Sequence, residues 1–184
     1  MHIDPTVYTG RPSDQRIPQE EAIYDKLEEL SIPFTRVDHD HADTMEDCLR
    51  IESVLGGKIC KNLFLRNTQK TAFYLLILPG SKKFKTAALS KQIGSARLSF
   101  AEPKFMEQYL NITPGSVSVL GLMNDPENKV RLLIDKDILK NHPYFGCHPC
   151  INTSSLKFRT EDLLNKILPA IHHDYTMVDL PYAE

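Results

Sequence analysis

The chain has 184 residues, 41% of them apolar and 25% charged, which suits one well-cored globular domain and is short for two. A net charge of −2 excludes a bulk polyanion binder, so any nucleic-acid contact must come from a local patch. No apolar run approaches the ~20 residues of a membrane span. The N-terminal MHIDPTVYTGRPSDQR also lacks the basic-then-apolar form of a secretory signal, so a cytoplasmic protein with no membrane partner is expected.

Residues 1–16 are polar and rich in Pro, Gly and Asp, which predicts a poorly packed lead-in to a domain spanning 17–184. From Pro18 the pattern is helical. Ile23, Leu27 and Leu30 recur at helical spacing, Glu20 and Glu21 sit where the helix dipole favours them, and Pro33 stops the run. Phe34 to Val37 reads as a short strand, followed by the polar run Asp38-His39-Asp40-His41. Thr44 can cap a helix whose third residue is Asp47, and Gly56-Gly57 ends it after Leu55.

Lys58 to Leu78 reads as two strands around a polar turn. Leu63 and Leu65 alternate with Asn62, Phe64 and Arg66, the period of a half-buried strand. Ala72 to Leu78 is almost continuously apolar, as in a strand buried on both faces. Lys61 and Asn62 stand at the mouth of the first strand, a rigid position on which a site is readily built. The plain alternative is a lysine that simply reaches solvent. Ser81 to Lys85 is a basic turn, Thr86 to Ile93 a helix ended by Gly94, Arg97 to Phe100 a strand, and Pro103 to Leu110 a helix. Pro114-Gly115 introduces Ser116 to Met123, predicted as an apolar strand closed by Asn124-Asp125-Pro126. Val130 to Ile134 is a further strand, Asn141 to Pro149 a loop, and Ile151 to Phe158 extended. Thr160 is expected to cap a last helix, Glu161 to His172, before a terminal strand from Tyr175 to Val178. Strands with helices scattered among them predict a mixed α+β domain.

Several common sites are absent: no G-x-S-x-G elbow, P-loop or G-x-G-x-x-G occurs. The four cysteines (Cys48, Cys60, Cys147, Cys150) are too few and too irregular for a secreted disulfide framework and read as reduced thiols. Cys147-His148-Pro149-Cys150 is the sharpest short motif, compatible with a redox pair or half a zinc site. An extended segment follows it, however, where a redox pair needs a helix N-terminus. Cys60, His142 and His172, the further ligands on offer, show no paired spacing. No metal and no cofactor is expected, and a metal or thiol protein is the weakest reading. Lys58, Lys61, Lys82, Lys83, Lys85 and Lys91 can form a basic patch, against the alternative of a solvated turn and helix face.

Three segments in order, CKNLFLRN, RLSFAEPKFMEQYLNITPGSVSVLGLMND and FGCHPCINTSSLKF, together with Thr44-Met45-Glu46 after a His-containing turn, carry a resemblance. They resemble the YbaK/ProX group of aminoacyl-tRNA editing domains, and most of all its free-standing ProX (PrdX, ProXp-ala) branch. The resemblance runs from about Pro18 to the end of the chain. It implies a central curved, mixed, partly barrel-like sheet surrounded by helices. It also implies hydrolysis of an amino acid wrongly esterified to tRNA, in this branch alanine on proline tRNA. Lys61 and Asn62 fall on the family's lysine and asparagine, Gly115 to Val119 on its catalytic glycine loop, His148-Pro149 on its histidine-proline loop, and Asn152 on a downstream asparagine. The implied catalytic set is Lys61, Gly115, Ser116 and His148; the substrate-binding set is Asn62, Thr44, Val117, Ser118, Val119 and Asn152. Lys58, Lys82, Lys83 and Lys85 would hold the tRNA acceptor end. One departure is Val119, where many members have proline, and it keeps a non-catalytic tRNA- or synthetase-binding module open as the rival.

The implied chemistry needs no Ser or Cys nucleophile. Water attacks an ester already activated by its ammonium neighbour, backbone N–H groups of the Gly115-Ser116-Val117 turn stabilise the oxyanion, and the substrate's 2′-hydroxyl relays the proton. Asn62 and His148 orient the amino group or the water. Selectivity follows from a small pocket at Gly115 to Val119, with Ile151 or Met45 nearby, because a missing methylene is worth only ~1–3 kcal/mol to a synthetase. The expected partner is the mischarged acceptor end, with prolyl-tRNA synthetase or an elongation factor as a possible helper. The protein itself is expected to be a monomer or weak dimer.

Overall fold

The computed structural model describes residues 1–182, so the last two residues of the expected 17–184 domain lie outside the described part. Its elements in chain order are β1 (Tyr8–Thr9), α1 (Pro18–Glu29), β2 (Thr35–Asp38), α2 (Met45–Leu55), β3 (Lys61–Asn67), β4 (Phe73–Leu78), α3 (Thr86–Ile93), β5 (Leu98–Phe100) and α4 (Pro103–Leu110). A 3₁₀ turn (Val119–Asn124), β6 (Val130–Asp135), α5 (Lys136–Asn141), β7 (Tyr144–Cys147) and β8 (Ser154–Arg159) follow. The last helical stretch is α6 (Thr160–Asp162), a π turn (Leu163–Ile167) and α7 (Leu168–Ala170), and β9 (Tyr175–Val178) ends the fold.

The strands form two sheets. One has the order β1-β2-β8-β7 and is antiparallel throughout. The other has the order β5-β3-β4-β6-β9, antiparallel from β5 to β4 and parallel from β4 to β9. The class is mixed α+β, as the pattern predicts, with two sheets in place of one central sheet. A backbone bridge between Ile59 and Gly146 links them, with the Cys60 N–H donating to the Gly146 carbonyl at 3.3 Å. Only glycine fits there, since a Cβ on residue 146 would meet the Lys58 carbonyl oxygen at 2.7 Å.

Burial follows the period-two pattern. Phe64, Leu75, Ile77, Leu132 and Ile134 on one face of the mixed sheet pack with Phe145, Leu156 and Phe158 of the other sheet and with α1. Leu65, Leu76, Leu78 and Leu133 face the opposite way, against Leu89 of α3 and Val178 of β9. All six residues of β4 are therefore buried, as its unbroken apolar run predicts. Local chemistry sets the ends of α2. Thr44 and Asp47 form a full capping box, and Gly56 closes the helix in the left-handed region at φ 76°.

The structure departs from the sequence pattern at four places. The lead-in expected to pack poorly is tied to the sheet edge: β1 pairs with β2, the Asp4 N–H donates to Asp38 O at 2.9 Å, and Arg16 reaches Asp14, Glu20 and Asp38. Ser116 to Met123 is a turn and a 3₁₀ helix, not a strand. Ser118 accepts the Leu120 N–H on its side chain and the Gly121 N–H on its carbonyl, so local bonds win over a ladder. The expected loop Asn141 to Pro149 contains β7, and before it Asp135 caps α5 by accepting the Asp137 N–H at 2.9 Å. Thr160 is the first helical residue and no cap; its hydroxyl donates to the His142 carbonyl at 2.5 Å.

Candidate active site

The link between the two sheets leaves a pocket of about 600 Å³ beside it. From the mixed sheet come Cys60, Lys61 and Asn62 at the start of β3, and the Pro79-Gly80-Ser81 turn after β4. The other sheet contributes Cys147 and His148 at the end of β7, and the roof is α2. Met45, Cys48, Leu49 and Glu52 of that helix line the pocket at i, i+3, i+4 and i+7, while its core residues Ile51 and Leu55 face away. Met45 and Leu49 are 53% and 60% exposed, so this apolar stripe is open to a ligand and not spent on the core. Met45 was expected near the pocket; Cys48, Leu49 and Glu52 of the stripe, Asp137 of α5 and His142 just after it are pocket residues that the sequence reading did not place there. The spacing of Met45, Cys48 and Leu49 was the signal for the stripe.

Lys61 opens β3 and is half-buried, and its Nζ donates to the Lys82 carbonyl at 3.0 Å. Asn62 is a strut: its Nδ2 donates to Cys60 O and its Oδ1 accepts the Val119 N–H, both at 3.0 Å. Val119, the departure from the family pattern, thus supplies a hydrogen bond that a proline cannot make. Gly115 has φ 86°, and its missing side chain leaves room for His41, whose Cε1 would lie 3.2 Å from a Cβ.

The glycine loop divides its members between pocket and interior. Gly115 and Val117 line the pocket, whereas Ser116, Ser118 and Val119 are buried away from it. The Ser116 N–H donates to Thr113 O at 3.2 Å, and its hydroxyl accepts the Asn152 N–H at 3.1 Å. That removes Ser116 from the expected trio of oxyanion donors. Gly115 and Val117 keep N–H groups without a partner among the described residues. Asn152 is 2% exposed and clamps Ala42, donating to its carbonyl at 2.8 Å and accepting its N–H at 3.2 Å. Thr44 is occupied by its cap, and Ile151 does not line the pocket.

His148 presents its Nε2 side to the pocket because Nδ1 is bonded to the Ser154 carbonyl at 2.8 Å. A carbonyl only accepts, so the proton sits on Nδ1 and Nε2 is a free acceptor. Burial pushes its pKa down to about 4, which keeps the ring neutral at pH 7. The thiols are neutral too. Burial pushes Cys60 and Cys150 up to about 12 and raises Cys147 further, so none is a ready nucleophile. Among the described residues no three His, Cys, Asp or Glu side chains are grouped to hold a metal ion.

The basic patch loses one member. Lys82 is 2% exposed and turns inward, 3.0 Å from both Asp135 Oδ1 and Asp179 Oδ1. Burial works against its charge, but the two carboxylates outweigh that and raise its pKa. Lys58 is exposed at the pocket rim, and Lys83, Lys85 and Lys91 are exposed farther along.

The sequence model of the aminoacyl-tRNA editing domain matches residues 39–166, more than half of the chain. The chain belongs to the aminoacyl-tRNA editing domain family. It is 32% identical over 160 residues to the prolyl-tRNA editing protein ProX of Acetoanaerobium sticklandii, a match covering 87% of this chain and 96% of that one. It is 29% identical over 139 residues to the prolyl-tRNA synthetase associated domain-containing protein 1 of Danio rerio, 75% of each chain. A crystal structure of a candidate trans-editing enzyme for prolyl tRNA synthetase shares the fold with a TM-score of 0.67 at 15% identity, covering 92% of this chain and all of that one. Every pocket residue of this editing domain lies inside the matched span, from Ala42 to His148. The strand β9 and Asp179, the residue after it, lie outside it. No helix among the described residues is long and apolar enough to cross a membrane.

Proposed function

We propose that the protein is a trans-editing deacylase that hydrolyses the ester of mischarged tRNA, with alanyl-tRNA(Pro) as its substrate. The observation that carries this reading is the convergence, on one pocket, of two unpaired N–H groups (Gly115, Val117), the neutral Nε2 acceptor of His148 and the Lys61 ammonium. No activated nucleophile accompanies them. The thiols are protonated, and the hydroxyls of Ser116 and Ser118 are bonded inside the loop.

The ester carbonyl oxygen would sit at the Gly115 and Val117 N–H groups, which gain strength as negative charge develops on it. His148 Nε2 accepts a hydrogen bond from the attacking water or the substrate ammonium. A ring with a pKa near 4 is a weak base, so it orients. The neighbouring ribose hydroxyl relays the water's proton to the ester's ribose oxygen as the carbon–oxygen bond breaks and that oxygen leaves as a hydroxyl. Lys61, held by the Lys82 carbonyl, meets the terminal phosphate or ribose as a point charge. The apolar wall of Met45, Leu49 and Val117 suits a small aliphatic side chain, but the cavity of about 600 Å³ is larger than the small pocket expected, so its volume alone does not exclude a bigger residue. Recognition through the acceptor end fits the exposed Lys58 and Lys83, and binding should weaken with salt. The names of the two relatives, a prolyl-tRNA editing protein and a prolyl-tRNA synthetase associated protein, support the proline tRNA and a synthetase as helper.

The test is deacylation of alanyl-tRNA(Pro) by wild type and Lys61→Ala, with prolyl-tRNA(Pro) and seryl-tRNA as controls. Wild type should release alanine selectively, and the folded variant should lose at least ~100-fold in rate, in line with removal of one electrostatic group. No ester cleavage above the spontaneous rate would sink the proposal and leave a binding module.

A further inference from the structure

The exposed lysines do not stand alone. In the run Lys82-Lys83-Phe84-Lys85 the first residue turns inward, while Lys83 and Lys85 point to solvent on either side of Phe84. Phe84 packs partly on the outer face of the mixed sheet, and its ring lies 5.5 Å from that of Phe100 at an angle of 59°. Phe100 is 59% exposed. Large exposed aromatic surface beside two cations is costly to leave unused on a small domain.

Strand register relates this pair to the pocket. Lys61, Leu63 and Leu65 alternate onto one face of β3, and Phe100 lies directly opposite Leu65. Phe100 is therefore four strand residues from Lys61, roughly 13 Å along the sheet. A second path is covalent. Lys61 holds the Lys82 carbonyl, and Phe84 is two residues further on. The aromatic pair and its lysines thus lie outside the pocket lining, one short chain step and one strand length from Lys61 at its edge.

We infer that Phe100 and Phe84 form a stacking platform for unpaired bases of the strand whose 3′ end enters the pocket, with Lys83 and Lys85 on its phosphates. This rests on the deacylase reading only for the direction of the strand. The occupant is single-stranded nucleic acid for two reasons. Aromatic rings interleaved with cations match alternating bases and phosphates, and an apolar protein partner would leave both lysines without counter-charges. Every base has a π face, so the platform adds affinity and not sequence preference.

The test uses the full chain and two probes. The first is a five-nucleotide RNA whose C-C-A end carries 2-aminopurine in place of the second C, and whose emission changes on stacking. Phe100→Ala should weaken its binding roughly tenfold, Phe100→Tyr should restore it, and Phe100→Leu should not. Lys85→Ala should lower the slope of log affinity against log salt by about 0.7. The second probe is alanyl-tRNA(Pro), for which Phe100→Ala should raise KM about tenfold with kcat unchanged. Binding by Phe100→Leu equal to wild type would overturn the platform, marking an apolar contact or a protein surface instead. If cleavage proceeds and Phe100→Ala changes neither probe, the platform falls and the deacylase stands. If no ester is cleaved but the RNA still binds through Phe100, the deacylase falls and the platform stands.

Discussion

His148 keeps its tautomer through a chain of partners behind it. Ser155 Oγ lies 3.5 Å from His148 Nδ1 and 2.9 Å from His39 Nε2, and His39 Nδ1 donates to the Asp40 carbonyl at 2.7 Å. Burial lowers both imidazole pKa values, His148 to about 4 from 6.5. With the folded value below the unfolded one, the unfolded chain takes up the proton first as pH falls. The stabilisation is therefore complete above about 6.5 and is lost progressively toward 4. Urea unfolding of wild type should lose on the order of 1–2 kcal/mol between pH 7 and pH 5 from this group, and His148→Gln should flatten that slope. Deacylation should show no inflection from His148 between pH 5 and pH 8; one near 6.5 that His148→Gln abolishes would mean the ring titrates freely. A second residue-level consequence concerns Val119. Val119→Pro deletes the donor to Asn62 and leaves a half-buried amide oxygen unpaired, so unfolding should become easier by ~1–2 kcal/mol. Sequence alone made Val119 an anomaly, because a backbone donor is invisible in a side-chain pattern.

Among the elements, the turn after β4 decides where Lys61 points. Lys82 sits between Asp135 and Asp179, and Asp135 also accepts the N–H groups of Asp137 and Leu180 at 2.9 Å. One buried carboxylate therefore starts α5, ties down the segment after β9 and pins the turn whose carbonyl holds Lys61. Lys82→Met strands that carboxylate without its buried counter-charge. It should destabilise by ~3–5 kcal/mol in chemical denaturation and lower kcat, while leaving the salt dependence of tRNA binding nearly unchanged. Lys58→Ala should do the reverse. The ends of α2, the pairing of β3 with β4 and the convergence of Lys61, Gly115 and His148 were legible from capping residues, periodicity and motif resemblance. The inward turn of Lys82 was not, since three lysines in one run look alike until the fold chooses one. Ser116 to Met123 misled for a related reason. Its apolar alternation suits a strand, but Ser118 bonds its own neighbours and Gly115 takes a left-handed backbone.

At the scale of the molecule, the pocket belongs to neither sheet. β3 delivers Lys61 and Asn62, β7 delivers His148, and these strands are more than 75 residues apart in sequence by their own numbers. Pairings of that separation form late and at an entropic cost, so the site exists only once both sheets have closed on the shared core. Such a juxtaposition cannot be read from a single strand pattern, and the expectation of one central sheet concealed it. The bridge at Gly146 then acquires a further meaning. The two sheets are the jaws of a caliper, and this glycine is its stop. Gly146→Ala must move the Lys58 carbonyl from 2.7 Å toward the ordinary 3.4 Å, opening the jaws by a few tenths of an ångström or more. The expected cost is ~1–3 kcal/mol in stability. The ratio of alanyl to 2-aminobutyryl release from tRNA should fall at the same time. An unchanged ratio in the folded variant would mean that the aperture is set by α2 alone. Discrimination by one methylene would then be a property of how two sheets meet, adjustable from a position that touches no substrate.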